Sequence, residues 1–486
     1  MNTEIAQLEP KLLWENFTKL NAVPRASKKE EEVIAFMIDF ANSLSLEVKQ
    51  DAIGNVLIVK PASSGMEDRK TIVMQSHLDM VHQKNNATDF DFSTQGIQMK
   101  IEGDWVKAKG TTLGADNGIG VATIMAILSS DTIVHPKIEA LFTIDEETGM
   151  TGAMNLSPNL LSGSILLNLD TEEDNEIGIG CAGGVDVSVF RNYKEYPTDS
   201  SKIGYHISVK GLEGGHSGIE IHKGLGNANK IMNRLLMDSF EHFGLEISEI
   251  KGGSLRNAIP RESDAIVAID AIHAEVFELE TGLLIDAIKA EQARMDPNLV
   301  ITLTEVDSPE KVMDIGVQEG IIRSIAAAHN GVYRMSPEIE GLVEASNNVA
   351  SVDINNGIIK IECLTRSSVD SSRTTVANSL RAAFELSGCE VSFGGAYPGW
   401  KPNRDSAILK VLDDTYFKLH NERAHIMACH AGLECGIIGE HYPEMDMVSF
   451  GPTILGAHSP DERVSITSVK KYWNLVLEVL KEIPLK

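Results

Sequence analysis

The stretch Ile138-Glu139-Ala140-Leu141-Phe142-Thr143-Ile144-Asp145-Glu146-Glu147-Thr148-Gly149 carries an apolar run straight into two adjacent carboxylates. The run reads as a buried strand. Near-continuous apolar strands belong to sheets covered on both faces, and these are mostly parallel. The same pattern recurs on either side. Thr71-Ile72-Val73-Met74 leads into Ser76-His77-Leu78-Asp79, and Ile165-Leu166-Leu167-Asn168-Leu169 leads into Asp170. Open α/β sheets bind ligands outside the carboxyl ends of their strands, so three such endings predict one site.

Other elements fit this scheme. Gly54 to Pro61 reads as a further strand, and Asn117 to Leu128 as a buried helix. Ser27-Lys28-Lys29-Glu30 has capping-box spacing ahead of an amphipathic helix over 28–43. After Gly180-Cys181-Ala182-Gly183-Gly184 the strands turn alternating, at 205–209, 265–269, 300–303, 357–363 and 390–393. Helical stretches fall near 221–240, 274–294 and 373–386. The fold class is therefore α/β: a mostly parallel-sheet catalytic domain with an inserted α+β domain. The first part is 1–184, the insertion 185–398 and the second part 399–486. The late His458, in Gly456-Ala457-His458-Ser459, is what demands an insertion.

The residue types at these endings suit metal chemistry. Residues two apart on an extended chain share a face, so one of His77 and Asp79 can bind metal while the other fixes it from behind. Asp116 lies in Gly114-Ala115-Asp116-Asn117-Gly118. With two oxygens it can bridge two cations; by position alone it reads first as the N-cap of the helix 117–128, and the two roles can coexist. Glu146 and Glu147 divide the labour: one binds metal, the other stays free to take a proton. With Asp170 and His458 these residues form a donor list for a dinuclear metallohydrolase.

The bulk numbers set the limits. At 486 residues two domains are expected, and 43% hydrophobic with 23% charged residues is ordinary for a globular chain. A net charge of -27 argues against nucleic acid and against anionic membrane surfaces. The five cysteines form no CxxC and no disulfide framework. Cys429 and Cys435 flank His430 and Glu434, which hints at a site wall. No apolar run is long enough for a membrane span, and the first residues lack a secretory pattern. The expected compartment is the cytoplasm.

Together Ser76-His77-Leu78-Asp79, Gly114-Ala115-Asp116-Asn117-Gly118, Asp145-Glu146-Glu147-Thr148-Gly149, Asp170 and His458 resemble the carnosinase/aminoacylase-type dinuclear zinc metallopeptidases. The resemblance implies two Zn2+ per subunit, with Co2+ and Mn2+ as other cations that mixed His/carboxylate sites take. It implies His77 and Asp170 on one cation, Glu147 and His458 on the other, and Asp116 bridging through a cis Asp116–Asn117 peptide. Asp79 should orient His77, and Glu146 should be the general base toward a metal-activated water.

In the insertion, which is a lid in that family, the resemblance implies that His216 stabilises the oxyanion. Asn257 and Arg366 should hold substrate, with His430 and Glu434 as further contacts. The implied substrates are dipeptides, Xaa-His and carnosine-like. An aminoacylase or broader di/tripeptidase is the alternative within the fold. A catalytically silent, metal-stabilised peptide-binding protein is the alternative of another class. A homodimer through the lid domain is also implied, with no nucleic-acid or membrane partner.

Overall fold

The computed structural model describes residues 2–486. The chain forms two compact units. The first holds the residues up to Gly180, then Pro402–Ala428 and Leu433–Lys486; the second holds Cys181–Lys401 and Cys429–Gly432.

The first unit is built on an eight-stranded sheet. Its order is Glu47–Gln50, Val56–Lys60, Ile138–Thr143, Ile72–His77, Ile165–Asn168, Asp446–Ser449, Glu176–Cys181, His425–Cys429. The four central strands, from Ile138–Thr143 to Asp446–Ser449, run parallel. Every residue of Ile138–Thr143, Ile72–His77 and Ile165–Asn168 is buried, as a strand covered on both faces requires. The flanking strands Val56–Lys60 and Glu47–Gln50 join antiparallel, and Glu176–Cys181 also runs antiparallel to Asp446–Ser449. The sheet is therefore mixed: parallel where the ligand candidates end, antiparallel toward the margins.

The helix Ala115–Ser129 is buried along nearly its whole length, between the strand Ile72–His77 and the helix Lys11–Leu20. Its first turn departs from the sequence expectation. Asp116 is not its N-cap: the cap position is Gly114, at φ +69°, and Asp116 and Asn117 have non-helical backbone around a cis Asp116–Asn117 peptide. The capping box at Ser27–Glu30 also fails. The helix Glu31–Ser43 is preceded by Glu30, which makes no cap bond to it. The Ser27 hydroxyl donates instead to Asp79 Oδ2 at 2.8 Å.

The second unit is an antiparallel sheet. Its path is Val300–Val306, Lys202–Lys210, Ser263–Asp270, Glu246–Gly252, Val343–Asn355, Ile358–Ser367, Gly183–Asn192, Glu390–Tyr397. Alternate residues such as Tyr205, Ile207, Val267, Val187 and Ile361 enter one core. The helices Ala228–Phe243, Ala274–Gln292, Ile315–Ala327 and Asp370–Glu385 bring Leu235, Phe277, Ile322 and Phe384 to it. The expected helix over 221–240 is broken at Gly224-Leu225-Gly226. Residues Ile221–Lys223 are a 3-10 turn, and the α-helix starts at Ala228 under an Asn227 cap.

Candidate metal centre

Strand endings deliver the donors. His77 closes its strand, Glu146 and Glu147 follow Ile138–Thr143 by a short turn, and Asp170 lies two residues past Asn168. His458 comes from the loop after Ile454–Leu455, held at φ +63°.

Two groups of donors share Asp116. His77, Asp116 and Asp170 present ligand atoms within 4.8 Å of one another, and so do Asp116, Glu147 and His458. Asp116 faces both: Oδ1 lies 3.1 Å from His77 Nε2, and Oδ2 lies 3.2 Å from His458 Nε2. His77 Nε2 is 3.6 Å from Asp170 Oδ1, and His458 Nε2 is 2.8 Å from Glu147 Oε2. Asn117 donates to Asp170 and to the Leu169 carbonyl. His77, Glu146 and Glu147 form a further close group, which puts Glu146 beside the first imidazole.

Asp79 ties the two strand endings together. His77 Nδ1 points at the Asp79 carbonyl (3.1 Å) and lies 3.5 Å from Oδ1. That contact makes Nδ1 the protonated nitrogen and leaves the Nε2 lone pair for a cation. The Asp79 carboxylate also accepts the N–H groups of Glu146 (3.0 Å) and Glu147 (3.2 Å). One carboxylate therefore orients the first imidazole and the acidic turn together.

The charge balance of the cluster accords with these distances. Burial opposes a charge on His77, but Asp170, Asp116 and Asp79 outweigh it and raise its pKa well above the usual imidazole value. Hydrogen bonds that His458 donates to the Asp116 and Glu147 carboxylates push it up to about 11. Burial lifts Glu146 well above the carboxylate range, opposed by His77 and reinforced by Asp170, Glu147 and Glu434. Burial also raises Glu147 and Asp170. Asp116 is held low by His458 and His77 despite its burial. A cluster that retains protons in this way is short of positive charge. Glu147 Oε1 is buried with no hydrogen-bond partner among the described residues. The mixed His/carboxylate donor set and that orphan oxygen fit a pair of divalent cations.

Several supporting residues give no sign in the sequence. Glu462, 2% exposed, accepts four backbone N–H groups from Leu113 to Asp116. Buried Arg25 donates to the carbonyls of Leu78, Asp79 and Gly114. Glu30 Oε1 accepts the Asp145 N–H at 2.9 Å and steadies the turn before Glu146. Glu172 has its pKa raised to about 8 by burial, then by Asp116 and Asp170. A lone acidic residue in a polar loop looks the same whether the fold buries it or not.

Glu434, expected at the substrate, is fully buried in the first unit. Its Oε2 accepts Gln75 Nε2–H (2.6 Å) and the Thr143 hydroxyl (2.7 Å), and Oε1 has no partner among the described residues. Neither Cys429 nor Cys435 stands in a close donor group among the described residues.

Within the second unit, His216, Arg366 and His430 gather around Gly218. A Cβ there would meet the His430 carbonyl at 2.2 Å, His216 Cε1 at 3.1 Å and Arg366 Nε at 3.2 Å. His216 Nδ1 accepts the N–H groups of Gly218 (3.1 Å) and Ile219 (3.0 Å), so its proton sits on Nε2. Burial, then Arg366, lowers its pKa to about 4, which keeps it a neutral donor. His430, with Nε2 at 2.8 Å from Ser346 Oγ, is pushed down to about 3 by burial and Arg366. Arg366 donates to the Tyr397 hydroxyl at 2.8 Å, and its Nε lacks a partner among the described residues. Asn257 is exposed, and its carbonyl accepts the Ser217 N–H at 2.8 Å.

The chain belongs to peptidase family M20/M25/M40, whose family model matches residues 73–482. It is a metallopeptidase of that family. It is 44% identical, over 100% of both chains, to the cytosol non-specific dipeptidase of Escherichia coli strain K12. It superposes with a TM-score of 0.93 on aminoacylhistidine dipeptidase from Vibrio alginolyticus, at 44% identity, covering 99% of this chain and 98% of that one. An aminopeptidase PepT from Bacillus cereus shares the fold at 16% identity and a TM-score of 0.58, covering 98% of this chain and 99% of that one.

Proposed function

We propose that the chain is a metal-dependent dipeptidase acting on Xaa-His dipeptides, carnosine-like ones included, with Glu146 as general base. The observation that carries this is Asp116 facing two donor groups at once, with Glu146 beside them. In the proposal, His77 and Asp170 hold one cation, Glu147 and His458 the other, and Asp116 both. Zinc is the proposed cation, with cobalt and manganese as substitutes. Such cations supply a nucleophilic water at neutral pH and polarise the scissile carbonyl.

The chain's own groups do the rest. Asp79 keeps His77 in the required tautomer. Glu146 takes a proton from the attacking water and passes it to the leaving nitrogen, so that hydroxyl ends on the carbonyl carbon and hydrogen on the amine. The His216 Nε2–H is suited to the developing oxyanion. The Arg366 guanidinium is suited to the terminal carboxylate. Asn257 and His430 are the other proposed substrate contacts, and Glu434 Oε1 is the atom left to it for a substrate donor.

The relatives' activities favour a dipeptidase over an aminoacylase, and the non-specific dipeptidase supports a range wider than Xaa-His. The name of that relative also supports a cytosolic setting. Among the described residues no helix is long and apolar enough to cross a membrane. A homodimer through the second unit is the proposed assembly. The helix Ala274–Gln292 and the turn before it expose Ile272, Val276, Leu279 and Leu283 at successive helical turns, and Val300 on the edge strand Val300–Val306 is also exposed.

The test compares wild type with Glu146→Ala on Xaa-His, Xaa-Leu and N-acylated amino acids. The variant should bind zinc as wild type does while hydrolysis falls about 100-fold or more. Near-normal turnover would remove Glu146 from the base role, and preference for acylated substrates would favour the aminoacylase alternative.

A further inference from the structure

The two donor groups are supported differently. His77 and Asp170 stand at or just past the ends of parallel strands, whereas His458 stands on a loop with its side chain 56% exposed. Its ring meets Asp116 and Glu147, and the loop backbone sets where it starts from. Glu462, four residues on, is enclosed, and all four of its hydrogen bonds go to one loop. Its Oε2 accepts the N–H groups of Leu113 (2.6 Å) and Gly114 (2.9 Å), and Oε1 those of Ala115 (2.7 Å) and Asp116 (3.2 Å). That loop presents Asp116. Its far side is gripped by Arg25, which donates to the Gly114 carbonyl at 2.6 Å.

The turn between Glu462 and His458 is tied to itself. The Glu462 N–H reaches the Ser459 carbonyl (3.0 Å), the Ser459 N–H and hydroxyl reach the Gly456 carbonyl, and the Asp461 N–H reaches Ser459 Oγ. Directly after Glu462, the strand Arg463–Ser465 pairs with Trp105–Ala108. One buried carboxylate thus locks the backbone of Asp116 to the turn that carries His458.

We infer that Glu462 is a positioning residue that sets His458 against Asp116, so that the cation between Asp116, Glu147 and His458 depends on it more than the cation at His77 and Asp170, which shares Asp116 but has its other donors on strand ends. The inference rests on the two-cation reading above. Both oxygens of Glu462 are acceptors, two N–H groups each. An amide in its place would turn an NH2 toward two of those donors and lose their bonds.

The experiment is calorimetric titration of zinc into cation-stripped wild type, Glu462→Gln and Glu462→Asp. Wild type should take two equivalents. Glu462→Gln should keep one within about threefold of its wild-type affinity and hold the other about 10–100-fold more weakly. Glu462→Asp keeps the charge but draws it back by one methylene, and should weaken the same equivalent to a smaller degree. If Glu462→Gln does not fold, the Asp variant decides by the same titration. Two equivalents held as in wild type, or both weakened alike, would overturn the inference and leave the two-cation reading intact. Fewer than two equivalents in wild type would instead overturn that reading.

Discussion

Asp79 links the first imidazole to the acidic turn. It meets His77, Ser27 and the N–H groups of Glu146 and Glu147. Replacing it with Asn keeps the shape but turns an amide NH2 toward one set of donors. Asp79→Asn is expected to weaken cation binding about 10–100-fold, with kcat falling more than KM rises. Dialysis against graded zinc and steady-state kinetics check this. At this level much was legible. His77, Asp79, Asp116, Glu146, Glu147 and Asp170 each follow an apolar run or sit among glycines, and the fold brings them together. Glu462 and Arg25 were not legible, because the burial that gives them meaning comes from chain segments far away in sequence.

The helix Ala115–Ser129 is tightly packed around the donors. At Gly120 a Cβ would lie 2.3 Å from Asn117 Oδ1, 2.4 Å from Ser76 Oγ and 2.9 Å from the Leu169 carbonyl. Backbone and two polar side chains must all move to admit one methyl group. Gly120→Ala should therefore cost about 1–3 kcal/mol of stability despite the helix preference for Ala. It should also disturb Asn117, the donor to Asp170, and so weaken cation binding. Urea unfolding and zinc titration read the two effects. The buried strands and this helix were visible as apolar runs with the right length. The start of the helix was not. A Gly-Ala-Asp-Asn sequence reads as a capped N-terminus, while the structure caps it at Gly114 and turns the Asp116 carboxylate to two imidazoles. The Ser27 motif failed for a similar reason: a hydroxyl serves whichever acceptor the tertiary fold offers, here Asp79.

For the whole molecule, the centre links stability to pH. In the cation-free protein Glu146, Glu147, Asp170, His77 and His458 all have raised pKa values. Each holds its proton more tightly folded than unfolded, so its stabilising contribution is present in acid and is lost as pH rises through the folded value. Asp116 has the opposite sign, but its lowered pKa matters only in stronger acid. Cations replace those protons. The gain in Tm on adding zinc should therefore grow from about pH 5 to about pH 9, as differential scanning calorimetry would show. A gain that shrinks with pH would contradict the proton-for-cation exchange. The proposed dimer gives a second test at this scale. Leu279→Asp with Leu283→Asp should shift sedimentation to the monomer while each chain stays folded, since both side chains are more than 60% exposed.

The strand Asp446–Ser449 lies inside its sheet, between Ile165–Asn168 and Glu176–Cys181, and His458 follows it. A ribosome reading the message in order releases His77, Asp116, Glu147 and Asp170 hundreds of residues before the strand that closes their sheet and the imidazole that completes their set. A growing polypeptide, or a fragment left by premature termination, therefore carries four of the proposed donors without the strand that joins their sheet to Glu176–Cys181. The competence to cut peptides therefore waits for the strand Asp446–Ser449 and for His458.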